Sequence, residues 1–148
     1  MSAAKPFRRV LVGWDGSRDA SAALRAAAAI VGDDEGHVVA LAVLPPVWHA
    51  ETAHERSVNE IAARDRVQAP FERLNIELAV TCGARINLQF DQNRHISDTL
   101  CRYATEHGFD LLALGRHGDG GGIAGRLGHV ADAVVRTAGV PLLLVSVP

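Results

Sequence analysis

Residues 115–129 read GRHGDGGGIAGRLGH, with glycine at positions 115, 118, 120, 121, 122, 125 and 128. Residues without a Cβ let a backbone approach an anion closely and adopt φ > 0, so that successive N–H groups converge on it. The apolar run Leu111–Leu114 precedes this stretch, and an amphipathic pattern begins after it at about Leu127. A buried strand, a glycine loop and a helix N-terminus in that order suit phosphate, because the helix start adds orphan N–H donors and the positive end of its dipole. The stretch is not a G-x-x-x-x-G-K-[ST] loop, since no lysine follows the glycines. Nor does it follow the first strand, where a dinucleotide fingerprint belongs. Its spacing is Gly115-x-x-Gly118, nine residues, then Gly128. By itself that spacing leaves two readings open, a backbone cradle for a ligand or a glycine-rich connection with none.

Other polar groups are less directive. Asp15 ends the first apolar run and reads either as a helix cap or as a ligand contact. His117 reads as a solvated loop residue. The segment from His49 to Glu55 holds two histidines and two glutamates but lacks an H-E-x-x-H spacing, so it reads as a solvated loop. There is no G-x-S-x-G elbow, and no lysine or paired carboxylate sits near the glycines to stabilise a transition state. The residues point to binding, with at most slow nucleotide hydrolysis.

The elements that must position this loop alternate strictly. Arg9–Trp14 is a short apolar run that reads as a strand buried on both faces. Ser17 caps a helix to about Val31, with Ala20, Leu24, Ala27 and Val31 on one stripe. His37–Leu44 is a second buried strand, ended by Pro45-Pro46. A helical pattern starts at about Glu55, and Pro70 is expected to interrupt it, with a helix starting or restarting there under Phe71, Leu74, Leu78 and Cys82. Arg85–Phe90 alternates apolar and polar, which predicts an edge strand with one polar face. A helix with Ile96, Leu100, Tyr103 and Ala104 on one face follows, then the strand at 110–114, the helix carrying Leu127, Val130, Ala131, Val134 and Ala138, and a last strand at Pro141–Val147.

Five strands alternating with helices predict an open α/β fold with a parallel sheet covered on both faces. The order 3-2-1-4-5 reverses the winding once, between the first and fourth strands, and ligands of such sheets bind at that crevice. Asp15 and Gly115 then end adjacent strands, which favours the binding reading of the glycine loop.

The sequence of 148 residues suggests a single domain spanning 1–148. Net charge is −2 and the basic residues are dispersed, which gives no footprint for nucleic acid. No apolar run approaches the ~20 residues of a membrane span, and MSAAKPFRR lacks the apolar core of a secretory signal, so a cytoplasmic protein is expected. Cys82 and Cys101 then read as reduced, buried thiols.

VLVGWDGS, DLLALGRHG, AGVPLLLVSV and the G-x-x-G, nine residues, G spacing together resemble the single-domain, nucleotide-binding form of the universal stress protein family along the whole chain. The resemblance implies a stress-associated regulatory protein that binds ATP or another adenine nucleotide, with Mg2+ supplied by the ligand. It implies a homodimer formed through Pro141–Val147. Carried across by position, it places Gly13, Asp15 and Val43 on the adenine side, and Gly115, Gly118, Gly128, His129 and Val130 at ribose and phosphates. Two positions depart from the family pattern. His129 stands where the family has Ser or Thr; its imidazole either donates one hydrogen bond to a phosphate or fills the pocket. Asp119 puts negative charge beside Gly118, with Arg116 and Arg126 near to offset it. A pocket closed by His129 would leave the alternative of a dimeric interaction module without nucleotide.

Overall fold

A computed structural model describes residues 7–32, 36–46, 52–117 and 128–147. Five parallel strands, β1 (Arg9–Gly13), β2 (His37–Leu44), β3 (Ile86–Gln92), β4 (Leu111–Gly115) and β5 (Leu142–Val145), form one sheet in the order β3-β2-β1-β4-β5. Four helices alternate with them: α1 (Arg18–Val31), α2 (Ala53–Thr81), α3 (Ile96–Glu106) and α4 (His129–Thr137). The open, once-reversed sheet expected from the alternation is the observed fold.

Burial explains the apolar runs. Val10, Leu11 and Val12 of β1 are each 0% exposed because helices cover both sides of the central strands. Val10 and Val12 join Val38, Ala40, Ala42, Leu111 and Ala113 in a core under α1 and α2, while Leu11, Leu41, Leu112 and Leu114 join Leu100, Ala104 and Val134 under α3 and α4. At the edge, β3 keeps Asn87, Gln89 and Asp91 exposed and turns Ile86, Leu88 and Phe90 inward, as its alternation predicts. The first helix begins where Ser17 Oγ accepts the Ala20 N–H at 3.1 Å. Gly32, at φ 66°, ends it.

The region before β3 differs from expectation. Pro70 does not interrupt the helix: α2 runs unbroken from Ala53 to Thr81, with Thr52 as its N-cap. Proline at this position removes the N–H that the Arg66 carbonyl would receive, which in isolation costs about 3 kcal/mol. Packing overrides that propensity. Val67, Phe71, Leu74 and Leu78 are buried against the sheet on both sides of the proline. In the same turn the indole Nε1–H of Trp14 donates to the Val67 carbonyl at 2.8 Å, and its ring meets Phe71 edge-on with centroids 6.0 Å apart. Arg25 and Glu77, paired at 2.9 Å, tie α1 to the far end of the helix.

The last helix was expected from about Leu127, a residue that lies outside the described ones; α4 is capped by Gly128 and starts at His129. The final strand is shorter than the 141–147 expected, although the Pro141 carbonyl still accepts the Leu112 N–H at 2.9 Å. Cys82 is half-buried and Cys101 buried, and both are free thiols.

If the indole donor helps to keep α2 continuous through Pro70, Trp14→Phe removes a buried hydrogen bond to the Val67 carbonyl, which also serves the helix. Urea unfolding should then show a loss of about 0.5–1.5 kcal/mol. A variant as stable as the parent would show that packing alone carries the helix past the proline.

Candidate functional site

The crevice of this fold opens beyond the carboxyl ends of β1 and β4, which are hydrogen-bonded neighbours in register Val10 with Leu111 through Val12 with Ala113. Three segments meet around it: 14–17 after β1, 115–117 at the end of β4, and 128–130 at the start of α4.

Gly115 closes β4, and its missing side chain is a packing requirement. A Cβ there would lie 2.6 Å from Asp19 Cβ, 2.7 Å from the Asp19 carbonyl carbon and 2.9 Å from the Ala20 nitrogen. The first turn of α1 therefore rests directly on the end of β4. Gly13 is occupied in a similar way, since a Cβ on it would collide with Leu114 Cδ2 and lie 3.2 Å from Leu100 Cδ1. Gly16, at φ 81°, makes the turn from β1 into α1 that brings this helix start over the crevice.

Asp15 is exposed, and its Oδ1 accepts the Ser17 N–H at 2.9 Å. It shapes the turn, and the capping of α1 falls to Ser17. Val43, 8% exposed, and the half-buried Val130 belong to one apolar cluster with Leu100 and Leu114, so they form a wall beneath the crevice.

The stems on either side of the glycine stretch are fixed through one residue. Arg116 donates its N–H to the Val145 carbonyl of β5 at 2.8 Å, and its own carbonyl accepts the Gly128 N–H at 2.8 Å. Gly128 is extended, with φ −68° and ψ 165°, and gives α4 no side-chain cap. The Asp132 N–H, bonded to the Gly128 carbonyl at 2.9 Å, is the first donor used inside the helix. Among the described residues the N–H groups of His129, Val130 and Ala131 are thus the orphan donors of the first turn, at the positive end of the α4 dipole. His129 is exposed, so among the described residues its imidazole is not packed into the wall of the crevice. This donor set, neutral and directional, fits a phosphate oxygen. Among the described residues no cluster of His, Cys, Asp or Glu could hold a metal ion by itself.

Gly118, Asp119 and Arg126 lie outside the described residues. Of the other expected site residues, Asp15, Gly115, Gly128, His129 and Val130 fall on the segments that meet at the crevice, while Gly13 and Val43 lie behind them in the packing. A shallow groove lined by Leu44, Pro45, Glu60, Arg64 and Phe90 lies against α2, and none of the expected site residues lines it.

One residue escaped the reading of the sequence. Asp19 Oδ2 accepts the His117 N–H at 3.0 Å and lies 3.6 Å from His117 Nδ1, with both side chains less than one-fifth exposed. In the sequence it is an ordinary acidic residue in a helix first turn; its partner is 98 positions away.

The profile of the universal stress protein family matches residues 6–146 of this chain. Among solved structures, the universal stress protein UspA from Lactobacillus plantarum is 21% identical, with 97% of this chain and 99% of that one covered and a TM-score of 0.80. A universal stress protein solved in complex with cAMP is 26% identical, with coverage of 95% and 97% and a TM-score of 0.70. One from Archaeoglobus fulgidus, solved in complex with dAMP, is 18% identical, with coverage of 94% and 97% and a TM-score of 0.65. No curated protein sequence matches.

Gly115→Ala tests the packing of the crevice floor. The new methyl must displace backbone of α1 rather than a pliable side chain, and the expected loss is about 1–3 kcal/mol of unfolding free energy. Unchanged denaturant midpoints would show that α1 does not rest on β4.

Proposed function

This chain belongs to the universal stress protein family, and from that premise we propose that it binds an adenine nucleotide, ATP among them, in the crevice between β1 and β4. The observation that carries the proposal is the start of α4. A glycine cap without a side-chain acceptor leaves its first-turn N–H groups to a ligand, and the fold sets that turn beside the ends of β1 and β4. The relatives solved with cAMP and with dAMP support the choice of adenine nucleotide.

In this reading Gly128, His129 and Val130 direct backbone N–H groups at phosphate oxygens, together with Gly115 and, from the sequence, Gly118. Asp15, Gly13 and Val43 lie toward the base. The exposed His129 imidazole adds one donor where the family has a hydroxyl. Phosphate charge is met by oriented dipoles and arginines, and a bound Mg2+ would arrive with ATP and add charge neutralisation. None of these residues is placed to activate an attacking water, so the proposed role is sensing in a cytoplasmic stress response, without appreciable turnover. No helix among the described residues is long and apolar enough to cross a membrane.

The partner we propose for the folded chain is a second copy. The Pro141 and Val145 carbonyls point at β4, so the alternate residues Leu142, Leu144 and Ser146 turn their N–H and C=O groups outward along the sheet edge. Leu142 to Val145 are four apolar residues on an edge strand, each only half-buried, and an edge of that kind is a template for pairing. A two-fold axis would pair it antiparallel with itself.

Thermal denaturation with Mg-ATP, AMP, cAMP and no ligand tests the nucleotide. A ligand at about a hundredfold excess over its Kd adds about 2.7 kcal/mol, so an increase of about 5–10 °C in Tm is expected. Flat melting curves at millimolar nucleotide would refute binding. For the assembly, sedimentation should report a dimer that Ser146→Pro weakens about ten-fold by deleting an outward N–H in each copy. A parent that sediments as a monomer would refute pairing along β5.

A further inference from the structure

Asp19 occupies a place that the glycine spacing does not assign to it. It is the second residue of α1, and its side chain is 16% exposed. Its Cβ and backbone lie against Gly115, while its carboxylate holds the N–H of His117 at 3.0 Å. It therefore grips both ends of the tripeptide by which β4 leaves the sheet. The middle residue, Arg116, passes that constraint on, because its carbonyl takes the N–H of Gly128, the cap of α4. The contacts run from α1 through the end of β4 to the helix start at which the phosphate is proposed to bind. Each is either a hydrogen bond to a backbone N–H or an approach too close for a Cβ, so little slack separates Asp19 from those donors.

The same carboxylate carries a negative charge that is only partly screened by solvent at this depth. Its repulsion of a ligand rises with each further phosphate charge. The imidazole of His117 lies 3.6 Å from Oδ2 at Nδ1 and is able to offset it.

We propose that Asp19 is a positioning residue of the nucleotide site, setting the β4 exit against the first turn of α4, and that its charge makes the site favour an adenosine monophosphate over the uncomplexed triphosphate. The proposal rests on the adenine-nucleotide reading above. Its two parts separate by substitution. Asn keeps an oxygen that accepts the His117 N–H and drops the charge, whereas Ala drops both.

The experiment is calorimetric titration of the full chain with AMP and with Mg-free ATP, for the parent, Asp19→Asn and Asp19→Ala. Hydrogen exchange of the His117 amide is measured alongside in the free proteins. The parent should bind AMP more tightly than Mg-free ATP. Asp19→Asn should hold AMP within about two-fold of the parent, strengthen ATP by about ten-fold, and keep the His117 amide protected. Asp19→Ala should weaken AMP by about ten-fold and expose that amide to exchange. Asn as damaging as Ala, an AMP-to-ATP ratio unchanged in Asn, or an Ala variant that binds like the parent would each overturn the inference. A parent that binds neither nucleotide overturns instead the reading on which it rests.

Discussion

The arrangement depends on one close approach. The first turn of α1 lies against the end of β4 with no space for a Cβ at Gly115. An alanine-rich helix makes this possible, because Ala20, Ala23, Ala27 and Ala28 bury themselves without holding the helix away from the sheet. Through that contact the carboxylate of Asp19 reaches the chain leaving β4, where Arg116 joins β5 on one side and Gly128 on the other. A looser packing of α1 would still give five parallel strands. It would not set the donors of α4 at a defined distance from the end of β1.

Much of this was legible in the sequence, for identifiable reasons. Strands buried on two faces need unbroken apolar runs, and Arg9–Gly13, His37–Leu44 and Leu111–Gly115 have them. An edge strand needs alternation, and Ile86–Gln92 shows it. Strict alternation of strands and helices then leaves few orders for the sheet, and 3-2-1-4-5 is the one that forms. The continuity of α2 was not legible. Proline is a local signal against a helix, and the groups that override it, the indole of Trp14 and the sheet beneath Phe71, come from other parts of the chain. Asp19 was hidden for the same reason, since a carboxylate in a first turn says nothing of a partner 98 residues on.

The glycines teach a narrower lesson. Spacing marked Gly115 and Gly128 and the family resemblance added Gly13, yet the structure gives the three different work. Gly13 makes room for Leu114 and Leu100, Gly115 makes room for α1, and Gly128 starts α4 without covering its donors. A missing Cβ looks the same in a sequence whether protein or ligand fills the space. The solved relatives share this fold at identities of only 18% to 26%.

We propose that the first-turn amides of α4 receive a phosphate. Amide-resolved NMR of the labelled chain during titration with AMP, and separately with adenosine, tests it most directly. AMP should move the amide resonances of His129, Val130 and Ala131 downfield, while adenosine should leave those three in place. Equal shifts with both ligands, or AMP-induced shifts confined to residues away from the start of α4, would contradict it.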